Sequence, residues 1–162
     1  MFRRTFLAAA LAAGTVMPVS AHHDGDTFAN AGITVSHAYT VAGSATAHAI
    51  EVFVTIENAS DTAVTLTAAE IDFAAPGVFQ APTVDDQGVL AVRDIAAVEI
   101  AAGQTLTMQP GGIHIVFNDV QQPLAPGDHF HAHLDFADLG EIEIEVEVER
   151  ADEQEHQHDD LG

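Results

Sequence analysis

"HFHAHLDFADLGEIEIEVEVE", residues 129–149, alternates polar and apolar side chains along almost its whole length. Phe130, Ala132, Leu134 and Phe136 fill every second place of its first half, and Ile142, Ile144, Val146 and Val148 do so in the second. Successive side chains of a strand point to opposite faces, so this period of two predicts two half-buried strands. "ADLG", residues 137–140, lies between them and is short enough for a hairpin. The apolar sets must face a core. That turns His129, His131 and His133 outward on one strand and Glu141, Glu143, Glu145, Glu147 and Glu149 outward on the other. Both outward sets are odd-numbered, so a regular hairpin lays a row of imidazoles beside a row of carboxylates.

Along such a row the imidazoles recur about every 7 Å, given a rise of ~3.3 Å per residue. Two of them at i and i+2 can lean together onto one cation; three can do so if the strand bends or twists. His129, His131 and His133 are therefore candidate metal ligands. The neighbouring carboxylates can serve as further ligands or as acceptors that orient the imidazole rings. Charge complementarity between the two rows, at roughly 0.2–1 kcal/mol per cross-strand pair, accounts for the same pattern without a metal.

The rest of the chain repeats the alternation. Residues 33–43, 48–60, 62–71, 88–94, 96–112 and 113–119 read as further strands, separated by turn formers such as Pro76-Gly77, Pro110-Gly111-Gly112 and Pro126-Gly127. Helical periodicity is nearly absent. The expected fold is all-β, an antiparallel Greek-key sandwich of cupredoxin- or immunoglobulin-like type over residues 33–149. Residues 22–32 and 150–162 are polar, rich in His, Asp and Glu and without periodicity, and are expected to be short disordered tails.

The first 21 residues have the form of an export signal: Arg3 and Arg4, an apolar run from Phe6 to about Ala13, then the small-x-small "VSA" at 19–21. Gly14 and Pro18 break the run short of the ~20 residues of a membrane span, so no membrane insertion is expected after signal removal. Phe2 stands where a twin-arginine signal has Ser or Thr, which favours the general export route and a periplasmic location. Cleavage after Ala21 leaves 141 of the 162 residues, enough for one domain with a real core.

The net charge is −21 and becomes −23 once Arg3 and Arg4 are gone, leaving two arginines against 25 acids. Such a surface repels nucleic acid and attracts cations. The absence of cysteine excludes disulfides, thiolate zinc sites and cysteine-ligated copper. No Gly-x-Ser-x-Gly, nucleophilic cysteine or phosphate loop is present, so no enzyme activity is expected.

From "VSHAYTVAG" onward the order of motifs resembles the periplasmic copper chaperones of the PCuAC family. The matching features are Tyr39 in the first long strand, "VFVTIENAS" (52–60), "QPGGIHIVF" (109–117) and "QQPLAPGD" (121–128). The resemblance spans about residues 33–149. It implies a cupredoxin-like sandwich that binds copper and delivers it to the copper centre of a respiratory oxidase. It also implies a copper(I) site of His and Met, of which His114 is present. The companion methionine positions fall at Val116 and at Val92 or Leu90, and the first histidine falls at Gln80 or Ala81. Met108 is the one methionine outside the signal. Thioethers favour copper(I), whereas imidazole and carboxylate suit copper(II) or zinc. The expected ion is therefore copper, as Cu(II) rather than Cu(I), with zinc as the alternative.

The tails add donors. His22 becomes the amino-terminal residue if cleavage follows Ala21, with His23 beside it, and His156 and His158 lie among acids at the other end. His37 and His48 sit in predicted strands and are expected to be structural. Three functions remain open at this level: a copper-capturing protein that passes its ion to an acceptor, an exported interaction module that kept the fold but lost the site, and a zinc-binding or buffering protein.

Overall fold

In a computed structural model of the chain, residues 27–43, 47–137 and 139–151 are described. They form eleven strands and no helix: β1 (Phe28–Asn30), β2 (Ile33–Val41), β3 (Ala49–Asn58), β4 (Val64–Glu70), β5 (Val78–Val84), β6 (Leu90–Ile95), β7 (Val98–Ile100), β8 (Thr105–Thr107), β9 (His114–Asn118), β10 (His129–Phe136) and β11 (Gly140–Glu149). The expected signal, residues 22–26 of the expected amino-terminal tail and residues 152–162 of the carboxy-terminal one, with His22, His23, His156 and His158, lie outside the described residues.

The hydrogen-bonded order is β6-β5-β9-β3-β2-β11-β10-β4-β7, with β1 added to β2 and β8 to β3. The ladder turns over at β2. Its first half, Ile33–Ser36, pairs with β3, the register shifts between Ser36 and Tyr39, and its second half carries β11 as well. His37 occupies the shift with φ 48°. An extra residue at such a bulge bends and twists the strand, which brings the two halves of the ladder face to face. Phe79, Ile115 and Phe117 from one half then join Leu66, Leu134, Phe136 and Ile144 from the other in a single buried cluster.

The architecture is the expected all-β sandwich, with corrections in detail. The pairing is mixed: β11 runs parallel to β2, with Glu147, Val148 and Glu149 opposite Tyr39, Thr40 and Val41. β1 lies inside the stretch assigned to the amino-terminal tail and pairs with β2. Residues 96–112 are not one strand but β7, a turn and β8, because Gly103 takes a left-handed φ of 68° between them. β5 escaped the alternation pattern because Pro82 interrupts it. Pro82 lies past the last β5–β9 pair, Gln80 with His114, where a missing N–H removes no bond to β9.

Two details hold the frame. Asn58 is fully buried, and its Nδ2 donates to the carbonyls of Thr62, Ile100 and Ala101 at 2.8–3.2 Å while its Oδ1 accepts from the Ser60 amide and hydroxyl. One side chain thus ties the end of β3 to the end of β7. Gly77 passes so close to the core that a Cβ there would meet Ile115 Cγ2 and Phe117 Cε1 at 2.9 Å. Glycine is required at that crossing by space.

Candidate metal centre

The β10–β11 hairpin has the register that the odd-numbered pattern predicts: His129 faces Glu147, His131 faces Glu145 and His133 faces Glu143. Between them Phe130, Ala132 and Leu134 are buried, as are Ile142, Ile144, Val146 and Val148. The turn "APGD" starts β10 on this line, with the Ala125 amide donating to the Asp128 carboxylate at 2.7 Å and the Gly127 amide to the Val148 carbonyl at 2.8 Å.

The imidazoles do not choose the acids directly opposite. Each Nδ1 reaches diagonally to the next carboxylate toward the turn: His129 to Glu145 at 3.4 Å, His131 to Glu143 at 3.5 Å and His133 to Glu141 at 2.9 Å. The right-handed twist of paired strands brings one set of diagonal neighbours closer, which gives all three the same offset. The 2.9 Å contact is a hydrogen bond and fixes the His133 ring. Its Nε2 then faces Glu143 Oε2 at 3.9 Å. On the other side of β10, Glu70 of β4 is opposite His133. Among the described residues no three His, Asp or Glu side chains already surround one point.

His114 belongs to a different surface. It starts β9 and is 5% exposed, held under the loop "QPGG". The tight turn at Gly111, with φ 77°, presents the Gly112 carbonyl to His114 Nδ1 at 2.9 Å. A carbonyl only accepts, so Nδ1 carries the proton and Nε2 carries the lone pair; Nε2 is buried without a partner. Beside it runs a row of rings: Phe53 at 6.1 Å, then Tyr39 at 5.1 Å from Phe53, then His37 at 4.8 Å from Tyr39. His37 is exposed at the β2 bulge, and His48 is exposed just before β3.

Register places the other positions implied by the resemblance on β5, β6 and β9. Gln80 of β5 is directly opposite His114, and Val116 lies two residues on, opposite Val78. Val92 of β6 stands beyond, across from Pro82, and Leu90 is across from Val84. Gln80 donates to Asp94 Oδ1 at 2.8 Å and is thereby engaged. Met108 is fully buried in the core. One imidazole nitrogen among a glutamine and valines does not make a thioether copper(I) site, so the donors present do not fit that ion there. The Gln80–Asp94 pair is hidden in the sequence because Pro82 masks strand β5, and the ring row because it depends on cross-strand register between β2, β3 and β9.

His114 and the β10 histidines are thus not brought together. His114 is buried on the β5–β9–β3 half, and His129, His131 and His133 face outward from the β11–β10–β4 half.

The family model "LpqE-like: Putative lipoprotein LpqE-like" matches residues 33–148. No curated protein matches the sequence. Among solved structures, the copper-bound PCuAC domain from PmoF2 superposes with a TM-score of 0.67 at 19% identity, covering 78% of this chain and 99% of that one. The apo PCuAC domain from PmoF1 gives 0.65 at 20% identity over 77% and 99%. Apo-DR1885 from Deinococcus radiodurans gives 0.58 at 22% identity over 89% and 97%. At these identities the likeness shows a shared fold. The match over 33–148 shows the family: this chain belongs to the LpqE-like family and carries it on a PCuAC-like β-sandwich.

Proposed function

We propose that this protein is an exported copper carrier of chaperone type. It takes the ion on imidazole and carboxylate donors and passes it to an acceptor, such as the copper centre of a respiratory oxidase. One observation carries this: His129, His131 and His133 project from one strand in register with a row of glutamates, on a fold shared with a domain solved with copper bound. Nitrogen and oxygen donors suit Cu(II), with zinc the next candidate. His22, His23, His156 and His158 would add further imidazoles. The signal-like first 21 residues and the family's lipoprotein description support export to the periplasm.

A second reading has its own support: Gln80, Val92 and Val116 stand where the resemblance implies copper(I) donors, and β6 carries exposed apolar side chains. On that reading the sandwich binds a protein partner and no metal.

The test is a titration of the protein with Cu(II), side by side with a variant in which His129, His131 and His133 are all alanine. The carrier reading expects one class of site to disappear from the variant. Identical binding curves, together with metal-free protein from its own cells purified untagged, would favour the interaction module instead.

A further inference from the structure

The three steps of the histidine ladder are not equivalent. His129 meets one carboxylate, Glu145, at 3.4 Å. Glu143, by contrast, lies between two imidazoles, its Oε1 3.5 Å from His131 Nδ1 and its Oε2 3.9 Å from His133 Nε2. The second gap is too long for a hydrogen bond. It is close to the spacing of two donors that share an ion, since ligands at 2.0–2.1 Å in a tetrahedron stand roughly 3.4 Å apart. His133 is also the one imidazole whose far nitrogen is already held, by Glu141 at 2.9 Å. A carboxylate on Nδ1 that leaves Nε2 for the metal is the usual outer partner of a metal-binding histidine.

Register supplies a fourth donor. Glu70, His133 and Glu143 lie directly opposite one another across β4, β10 and β11, so they form one row across the sheet. Residues directly opposite have Cβ atoms about 4.5–5.5 Å apart on the same face, within reach of a glutamate. The equivalent row at His129 contains Glu147 but no residue of β4, which pairs with β10 at His133–Phe136.

We propose that the ladder holds one divalent cation at its turn-proximal end, on His131, His133 and Glu143, with Glu70 completing the shell. Glu141 acts as a positioning residue for His133, and His129 stays outside. This rests on the ladder being the ion's place in the carrier reading and adds which part of it binds. The donors are exposed or half-exposed, so rotation of side chains gathers them without moving the backbone. The face offers two nitrogens and one or two carboxylates, a set suited to zinc(II) or copper(II) and unsuited to copper(I).

The experiment is calorimetric titration of the whole protein at pH 7.5 with zinc chloride and, separately, copper(II) chloride. The single variants are His129→Ala, His131→Ala, His133→Ala, Glu143→Gln and Glu141→Gln, with the far-ultraviolet spectrum checked for each. His131→Ala, His133→Ala and Glu143→Gln are each expected to weaken one equivalent by about tenfold or more, while His129→Ala changes it less than about threefold. Glu141→Gln should weaken it less than Glu143→Gln does. It should also speed proton exchange at the imidazole Nδ1–H of His133, a nuclear resonance signal that a mere ligand loss leaves alone. Equal losses from His129→Ala and His131→Ala, or no loss from Glu143→Gln, would overturn the turn-proximal site while leaving the ladder as the binding face. No change in any variant would remove the ladder from the carrier reading altogether.

Discussion

The Nδ1 of His114 lies 2.9 Å from the carbonyl oxygen of Gly112, two residues upstream, and this bond decides that the lone pair sits on the enclosed Nε2. The ring is therefore a structural plug that also carries an unanswered acceptor. His114→Ala should cost about 2–3 kcal/mol, from lost packing and the freed Gly112 carbonyl. His114→Phe, which fills the volume and discards the orphan nitrogen, should stay within about 1 kcal/mol of the parent. Urea unfolding of the two variants checks both values.

Asn58 should be among the most sensitive single positions. Truncation to alanine removes the buried donor shared by the Thr62, Ile100 and Ala101 carbonyls and the acceptor for Ser60, and a loss of about 2–4 kcal/mol is expected. Asn58→Asp should be nearly as damaging, because a carboxylate accepts but does not donate. Thermal unfolding monitored by circular dichroism distinguishes these from a neutral surface change such as Gln122→Ala.

Bound ion should leave as the solution is acidified. Ligation needs neutral imidazole, a free imidazole takes up its proton near pH 6.5, and each proton gained competes directly with the metal. Protein loaded with zinc at pH 7.5 is expected to release most of it at pH 5, read by a colorimetric zinc indicator. Retention at pH 5 equal to that at pH 7.5 would exclude imidazole ligation.

The β5–β6 hairpin should tolerate charge. Val84, Val89, Leu90 and Val92 are 53–69% exposed, and β6 is at one end of the strand order, with no strand on its outer flank among the described residues. Apolar edge strands invite pairing with other chains. Leu90→Lys with Val92→Lys should leave stability within about 0.5 kcal/mol. Any concentration-dependent association should fall, as measured by light scattering after gel filtration.

The ladder was legible in the sequence because two local facts suffice for it: a period of two in 129–149 and a connection too short for anything but a hairpin. Parity then fixed the face of each histidine. What local pattern does not carry is the choice among acids, since the preference of His131 for Glu143 over Glu145 comes from strand twist. The burial of His114 was equally hidden: it depends on the loop at 108–112 folding back, not on its own strand. Glu70 could not be linked to His133, because their strands meet only through the long-range order of the sheet. The same limit hid the parallel pairing of β2 with β11.

That parallel pairing has a consequence for how the molecule comes into being. Tyr39 and Glu147 are neighbours although roughly a hundred residues of chain separate them, so the seam between β2 and β11 is among the last contacts to close, after the entropy of a long loop has been spent. β11 also supplies every carboxylate that faces the β10 imidazoles across the hairpin. A half-emerged polypeptide therefore has histidines but no acid rail beside them until the final strand has locked into place.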